Sequence, residues 1–175
     1  MQLSFDFLIF TFDLAMPTIH LTTFIAAPVE RVFDLSRNIS LHKISMQQTG
    51  EMAIAGITSG LINKDDTVTW KAKHFFKTRF FTSRIIEMKP FENFTDKMIR
   101  GDFVSFQHQH FFKPVENGTI VIDIILFESP YGWLGKIVNK FFLTAYIEKL
   151  IIKRNDVIRQ YATTDKWRAV LHTHF

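Results

Sequence analysis

The chain has 175 residues, 47% of them hydrophobic, 22% charged and 15% aromatic, which fits one globular domain of ordinary size and is too apolar for a disordered chain. Its formal net charge of +4 comes from Lys and Arg interspersed with acids, so no basic block argues for nucleic acid. The absence of cysteine excludes disulfides, thiolate zinc sites and a cysteine nucleophile.

Residues 1–15 are apolar but carry Asp6 and Asp13 and no Lys or Arg ahead of the apolar stretch, a poor secretory signal. They read as an N-terminal extension outside the fold, with an added strand or short helix as the alternative. Pro17 to Ala26 is rich in β-branched residues and predicts a strand, stopped by Ala27-Pro28. Pro28 then opens a helix with Val29, Val32, Phe33 and Ser36 at helical spacing, and a second short helix is expected over Ser40 to Gln48. Gly50, Gly56, Gly60 and the Asn63–Asp66 cluster read as turns around short strands.

Five strands follow: Thr67 to Lys77, Arg79 to Met88, Asn93 to Gly101, Phe103 to Lys113 and Gly118 to Glu128. Lys77-Thr78, Lys89-Pro90, Gly101-Asp102 and Glu116-Asn117-Gly118 divide them, and such short connections imply an antiparallel meander. From Tyr131 to about Ala162, introduced by Ser129-Pro130, apolar residues including Leu134, Val138, Phe141, Ala145, Leu150, Val157 and Tyr161 predict one long amphipathic helix. Residues 163–175 read as a loose tail. The fold class is therefore α+β, a curved antiparallel sheet with one long C-terminal helix and two short helices after the first strand, in a single domain over residues 16–162.

That order resembles the helix-grip fold of the START and polyketide-cyclase superfamily, SRPBCC. The local likeness lies in Ala27-Pro28-Val29-Glu30-Arg31-Val32-Phe33-Asp34, Val68-Thr69-Trp70, Gly101-Asp102-Phe103, Phe106 to Phe111, and Asp123 onward to Gly135. These segments resemble a bacterial branch described loosely as ligand-binding or cell-division-inhibitor-like. The resemblance covers about residues 16–162 and implies a sheet curled around the long helix with a cavity between them. It says little about activity, because the superfamily includes lipid carriers, hormone receptors and cyclases.

Strand parity then proposes a site. Phe106, His108, His110 and Phe112 share one face of their strand, and the following hairpin puts Asp123, Ile125 and Phe127 on the same face. Asp123 falls directly opposite His108 or diagonal to it, depending on register. Trp70 and His74 share a face of an earlier strand. If both faces are concave, His74, His108, His110 and Asp123 form a polar island in an aromatic lining, with Phe141 added from the helix.

Metal binding is not expected, since His-x-His has only His74 as a third candidate, and no cofactor is predicted; the nucleotide-binding glycine loops, Gly-x-Ser-x-Gly and His-Glu-x-x-His are absent. The 20 Phe divide between this lining and an opposite face that also bears Ile120, Ile122, Ile124 and Leu126. That second face calls for a cover from the chain ends or from a second copy in a homodimer. Lys149, Lys153, Arg154 and Arg159 read as a solvated helix face, or as a contact with an anionic membrane.

The expected function is binding or carriage of a hydrophobic small molecule such as a lipid, isoprenoid or aromatic polyketide by a cytoplasmic protein, favoured over an enzyme. The alternatives are a cyclase- or dehydratase-like enzyme using His108 with Asp123, and a protein-interaction module whose cavity is filled by side chains.

Overall fold

The computed structural model describes residues 18–129 and 142–171. Strand β1 (Thr18–Ile25) is followed by helices α1 (Val29–Ser36) and α2 (Ile39–Ser45), then β2 (Met52–Gly56), β3 (Thr67–His74), β4 (Lys77–Lys89), β5 (Asn93–Arg100), β6 (Ser105–Val115), β7 (Gly118–Glu128) and helix α3 (Thr144–Ala162). Pro28 suits the start of α1, where a missing amide proton costs nothing, and its carbonyl accepts from Val32 N at 3.1 Å. Asn38 caps α2 by accepting from Leu41 N at 2.9 Å. The expected starts of the long helix at Tyr131 and Ser129-Pro130, with Leu134, Val138 and Phe141, fall on or beside positions outside the described residues, as does the 1–15 segment.

The seven described strands form one antiparallel sheet in the order β1-β7-β6-β5-β4-β3-β2, the predicted meander with the first strand joined to the last. Register shifts at Ala53/Ala55, Thr82/Ser83 and Ile85/Glu87 interrupt the ladders and bend the sheet. At the end of β2, Gly56 adopts φ 72°, and a Cβ there would lie 2.1 Å from the Thr67 carbonyl oxygen. Gly56→Ala is therefore expected to cost about 1–3 kcal/mol in a denaturant titration, with ring-rich core packing otherwise unchanged.

The concave face packs on α1, α2 and α3. In one core cluster Phe33 meets Phe94 and Phe112 and is buried together with Trp70 and Ile158; in a second, Ile19, Ile125 and Phe127 are buried together with Ile147 and Ile151 of α3. Alternation in β7 decides the face: Thr119, Val121, Asp123, Ile125 and Phe127 are buried, whereas Ile120, Ile122, Ile124 and Leu126 are half-buried on the convex side. The convex apolar positions are half-buried among the described residues, and residues 1–15, one of the expected covers, lie outside them.

Two local expectations are corrected. The strand expected to run to Lys77 turns at Phe75-Phe76, because His74 pairs with Lys77. Both turn residues have positive φ, 50° and 64°, a conformation that Asn-Gly adopts far more readily, so the aromatic pair gave no turn signal. Phe75 is held by ring contact with Tyr146 at 4.7 Å, while Phe76 is 96% exposed. The loose tail is also wrong as far as Leu171, which is buried in the first core cluster. Val170 O accepts from Asn38 Nδ2 at 3.0 Å, and Trp167 lies under the Arg31 guanidinium at 4.6 Å.

Candidate functional site

Between the concave sheet face and α3 lies a cavity of about 670 Å³. Trp70, Phe81, Phe94, Phe106, Ile147 and Ile151 form its apolar wall, and Asp96, His108, His110 and Arg154 supply a polar patch. The patch sits where three neighbouring strands present inward side chains: Asp96 on β5 pairs with His108 on β6, and His110 pairs with Asp123 on β7.

Asp123 is the hub of this patch and is 0% exposed. Its Oδ1 lies 2.8 Å from His108 Nε2, and its Oδ2 accepts from Asn155 Nδ2 at 2.7 Å. His110 Nδ1 is 2.9 Å from the same Oδ1 but out of line for a hydrogen bond, while His110 Nε2 meets Asp96 Oδ2 at 3.2 Å. Arg154 places Nη1 3.8 Å from Asp123 Oδ1 and donates from Nη2 to Ser36 O at 2.7 Å, tying α3 to α1.

Burial alone would raise the Asp123 carboxyl, but the hydrogen bond from His108 and the adjacent His110 ring hold it well below the usual carboxylate range. Burial likewise opposes ionisation of Asp96, and His110 outweighs it, bringing that carboxyl down. His108 is pushed down to about 4, first by burial and then by the neighbouring His110 ring. His108 is therefore neutral near pH 7, donates from Nε2 to the Asp123 carboxylate, and keeps Nδ1 as a lone-pair nitrogen.

A second polar patch lies elsewhere on the cavity wall. The His42 ring is tilted against Trp70 at 4.4 Å, with Nε2 3.4 Å from Glu51 Oε1. Burial raises the Glu51 carboxyl, but His42 beside it brings the net position below the ordinary value. His74 Nδ1 and the Tyr146 hydroxyl share a 2.7 Å hydrogen bond that links β3 to α3, and burial lowers the His74 imidazolium.

Neither a family model nor a curated protein matches the chain. Solved structures do match in fold. TTHA0849 from Thermus thermophilus aligns at TM-score 0.67 and 18% identity over 85% of this chain and 100% of that one. The Zhui aromatase/cyclase from Streptomyces sp. R1128 aligns at TM-score 0.67 and 12% identity, covering 84% and 93%. Ginseng major latex-like protein 151 from Panax ginseng aligns at 0.63 and 12%, covering 85% and 99%. The chain shares the helix-grip fold of these structures.

Within this helix grip, the residues singled out from the sequence separate into three groups. Trp70, His74, Phe106, His108 and His110 line the cavity. Asp123 lies beneath the two histidines, diagonal to His108 in the register and hydrogen-bonded to it. Phe112, Ile125 and Phe127 point to the same side but are consumed by core packing, Phe112 against Phe33 and the other two against Ile147 and Ile151. Phe141 lies outside the described residues.

Asp96, Asn155, Arg154, His42, Glu51 and Tyr146 were not anticipated, and Arg154 reverses an expectation. Read as part of a solvated face, it is buried in the grip together with Ile151, Asn155 and Ile158. The spacing Ile151, Arg154, Asn155 and Ile158 is one helical stripe, a signal that was present in the sequence.

Proposed function

We propose that the protein binds a hydrophobic small molecule bearing a polar end, in the cavity between the sheet and α3. One observation carries this reading: the described residues leave about 670 Å³ open, walled by rings and aliphatic side chains and touching a buried cluster of carboxylate, imidazole and guanidinium groups. Volumes of this size suit a lipid, an isoprenoid or a polycyclic aromatic, with apolar walls supplying burial and a few placed polar groups fixing orientation. His108 Nδ1 and the His42–Glu51 pair are the groups offered to the ligand's polar atoms. An open cavity weighs against an interaction module filled by its own side chains, and the reading requires neither a homodimer nor a membrane surface.

Binding is favoured over cyclase- or dehydratase-like chemistry on His108 and Asp123. The Asp123 carboxylate is already engaged by His108 and Asn155 and flanked by His110 and Arg154, an arrangement that satisfies buried groups as a structural hub does. No helix among the described residues is long and apolar enough to cross a membrane.

Native mass spectrometry after gentle purification tests the proposal. The expected result is a one-to-one adduct that survives desalting and is lost on denaturation. Ala72 is buried on β3 and lines the cavity, so Ala72→Trp is expected to weaken uptake of the extracted compound at least about tenfold, equal to about 1.4 kcal/mol, without lowering the melting temperature. Protein that is always empty and takes up no hydrophobic dye, or undiminished uptake by a folded Ala72→Trp variant, would overturn the reading.

A further inference from the structure

We propose that Asp96, His108 and His110 form a binding site for one divalent first-row transition-metal ion, with its open coordination positions facing the cavity. One donor atom from each of the three residues lies within 4.8 Å of the donors of the other two, and all three residues line the cavity. The His110 Nε2 to Asp96 Oδ2 distance is 3.2 Å. That is the edge expected between two ligands each about 2.1 Å from a shared ion and about 100° apart.

The stronger indication lies behind the ligands. One oxygen of Asp123 is hydrogen-bonded to His108 Nε2 at 2.8 Å, which leaves His108 Nδ1 for a cation, and the same oxygen stands beside His110 Nδ1 at 2.9 Å, out of line, while His110 Nε2 turns toward Asp96. A carboxylate behind a ligating imidazole is the usual means of setting its tautomer and orientation. Asn155 and Arg154 anchor that carboxylate in turn.

Charge points the same way. Two carboxylates, Asp96 and Asp123, face one buried guanidinium, Arg154, an excess of acid that a bound cation would balance. Two imidazoles and one carboxylate suit zinc or ferrous iron over magnesium or calcium, and the remaining positions would accept an oxygen donor from a cavity ligand. The site shares His108 Nδ1 with the hydrophobic-ligand reading, but metal uptake and ligand uptake are measured separately, and either can fail alone.

The test is equilibrium dialysis of the tag-free full-length protein against Zn²⁺ after chelator treatment, with Co²⁺ absorption as a second readout. One Zn²⁺ per chain is expected, weakened at least about tenfold in Asp96→Asn and in His110→Gln. It should be retained in a His172→Ala, His174→Ala double variant, which removes the chain's other His-x-His pair. Bound Co²⁺ should give the strong visible bands of a low-symmetry site in the unaltered protein, a result that needs no variant to fold. Binding unchanged in a folded Asp96→Asn variant, binding lost in the double variant, or only the pale spectrum of aqueous Co²⁺ would overturn the site.

Discussion

Asp123→Ala is expected to lower the free energy of unfolding by about 3–5 kcal/mol, the cost of removing one partner from a buried ionic network. The carboxylate is 0% exposed and serves His108 Nε2 on one oxygen and Asn155 Nδ2 on the other, with the Arg154 guanidinium 3.8 Å away. Alanine leaves those donors and the arginine charge buried without the acceptor that satisfied them. For a domain of this size the melting temperature should fall by roughly 6–20 °C.

Asn155 also donates to Thr23 Oγ1 at 3.1 Å, so loss of the hub loosens the attachment of α3 to β1 as well as to β7. Asp123→Asn preserves shape but offers one acceptor oxygen where two are in use, and it should remain clearly destabilised. Chemical denaturation in the presence of a chelator is the measurement. A loss below about 1 kcal/mol for the alanine variant would mean that the network contributes nothing to stability.

Phe33→Ala should cost a similar amount, about 3–5 kcal/mol, for a different reason. Phe33 is 1% exposed on α1, and its ring meets Phe91, Phe94 and Phe112 edge-on at 5.5, 5.7 and 5.2 Å. Alanine removes the ring from three such contacts at once and leaves a void bounded by β5 and β6, which the sheet cannot close without breaking its ladders. Since Ser36, Arg37 and Asn38 at the end of α1 line the cavity, ligand uptake should weaken together with stability. Phe33→Leu, which keeps most of the volume, should recover more than half of the loss. Equal denaturation midpoints for the alanine variant and the unaltered protein would contradict the placement of Phe33 at the centre of the core.

The architecture was legible in the sequence because its signals are local. Pro28 marks a helix start, the Glu116-Asn117-Gly118 hairpin sets the β6–β7 pairing, and strand parity put His108, His110 and Asp123 on one face. What stayed hidden depends on residues far apart in the chain. Asp96 reaches His110 only through the β5–β6 register, and Asn155 and Arg154 reach Asp123 only once α3 packs on the sheet. Parity also states a direction without saying what a side chain meets there, so Phe112, Ile125 and Phe127 looked like a lining and are packed core. The Phe75-Phe76 turn eluded reading because tertiary contact with Tyr146 overrides a sequence that local preference would extend as strand.

The pairing of β1 with β7 sets a timetable for the chain. Ile25 bonds with Thr119, so the first strand leaves the ribosome about ninety residues, or roughly 5–20 s of synthesis, before its partner exists. During that interval Ile19, Leu21, Phe24 and Ile25 are carried on an unpaired strand, and the hairpins from β3 to β7 can form without it. Pairing β1 with β7 therefore closes a far longer loop than any hairpin between β3 and β7, at a correspondingly larger entropic cost. Conditions that slow synthesis would lengthen the exposure of that one strand before any other part of the sheet is affected.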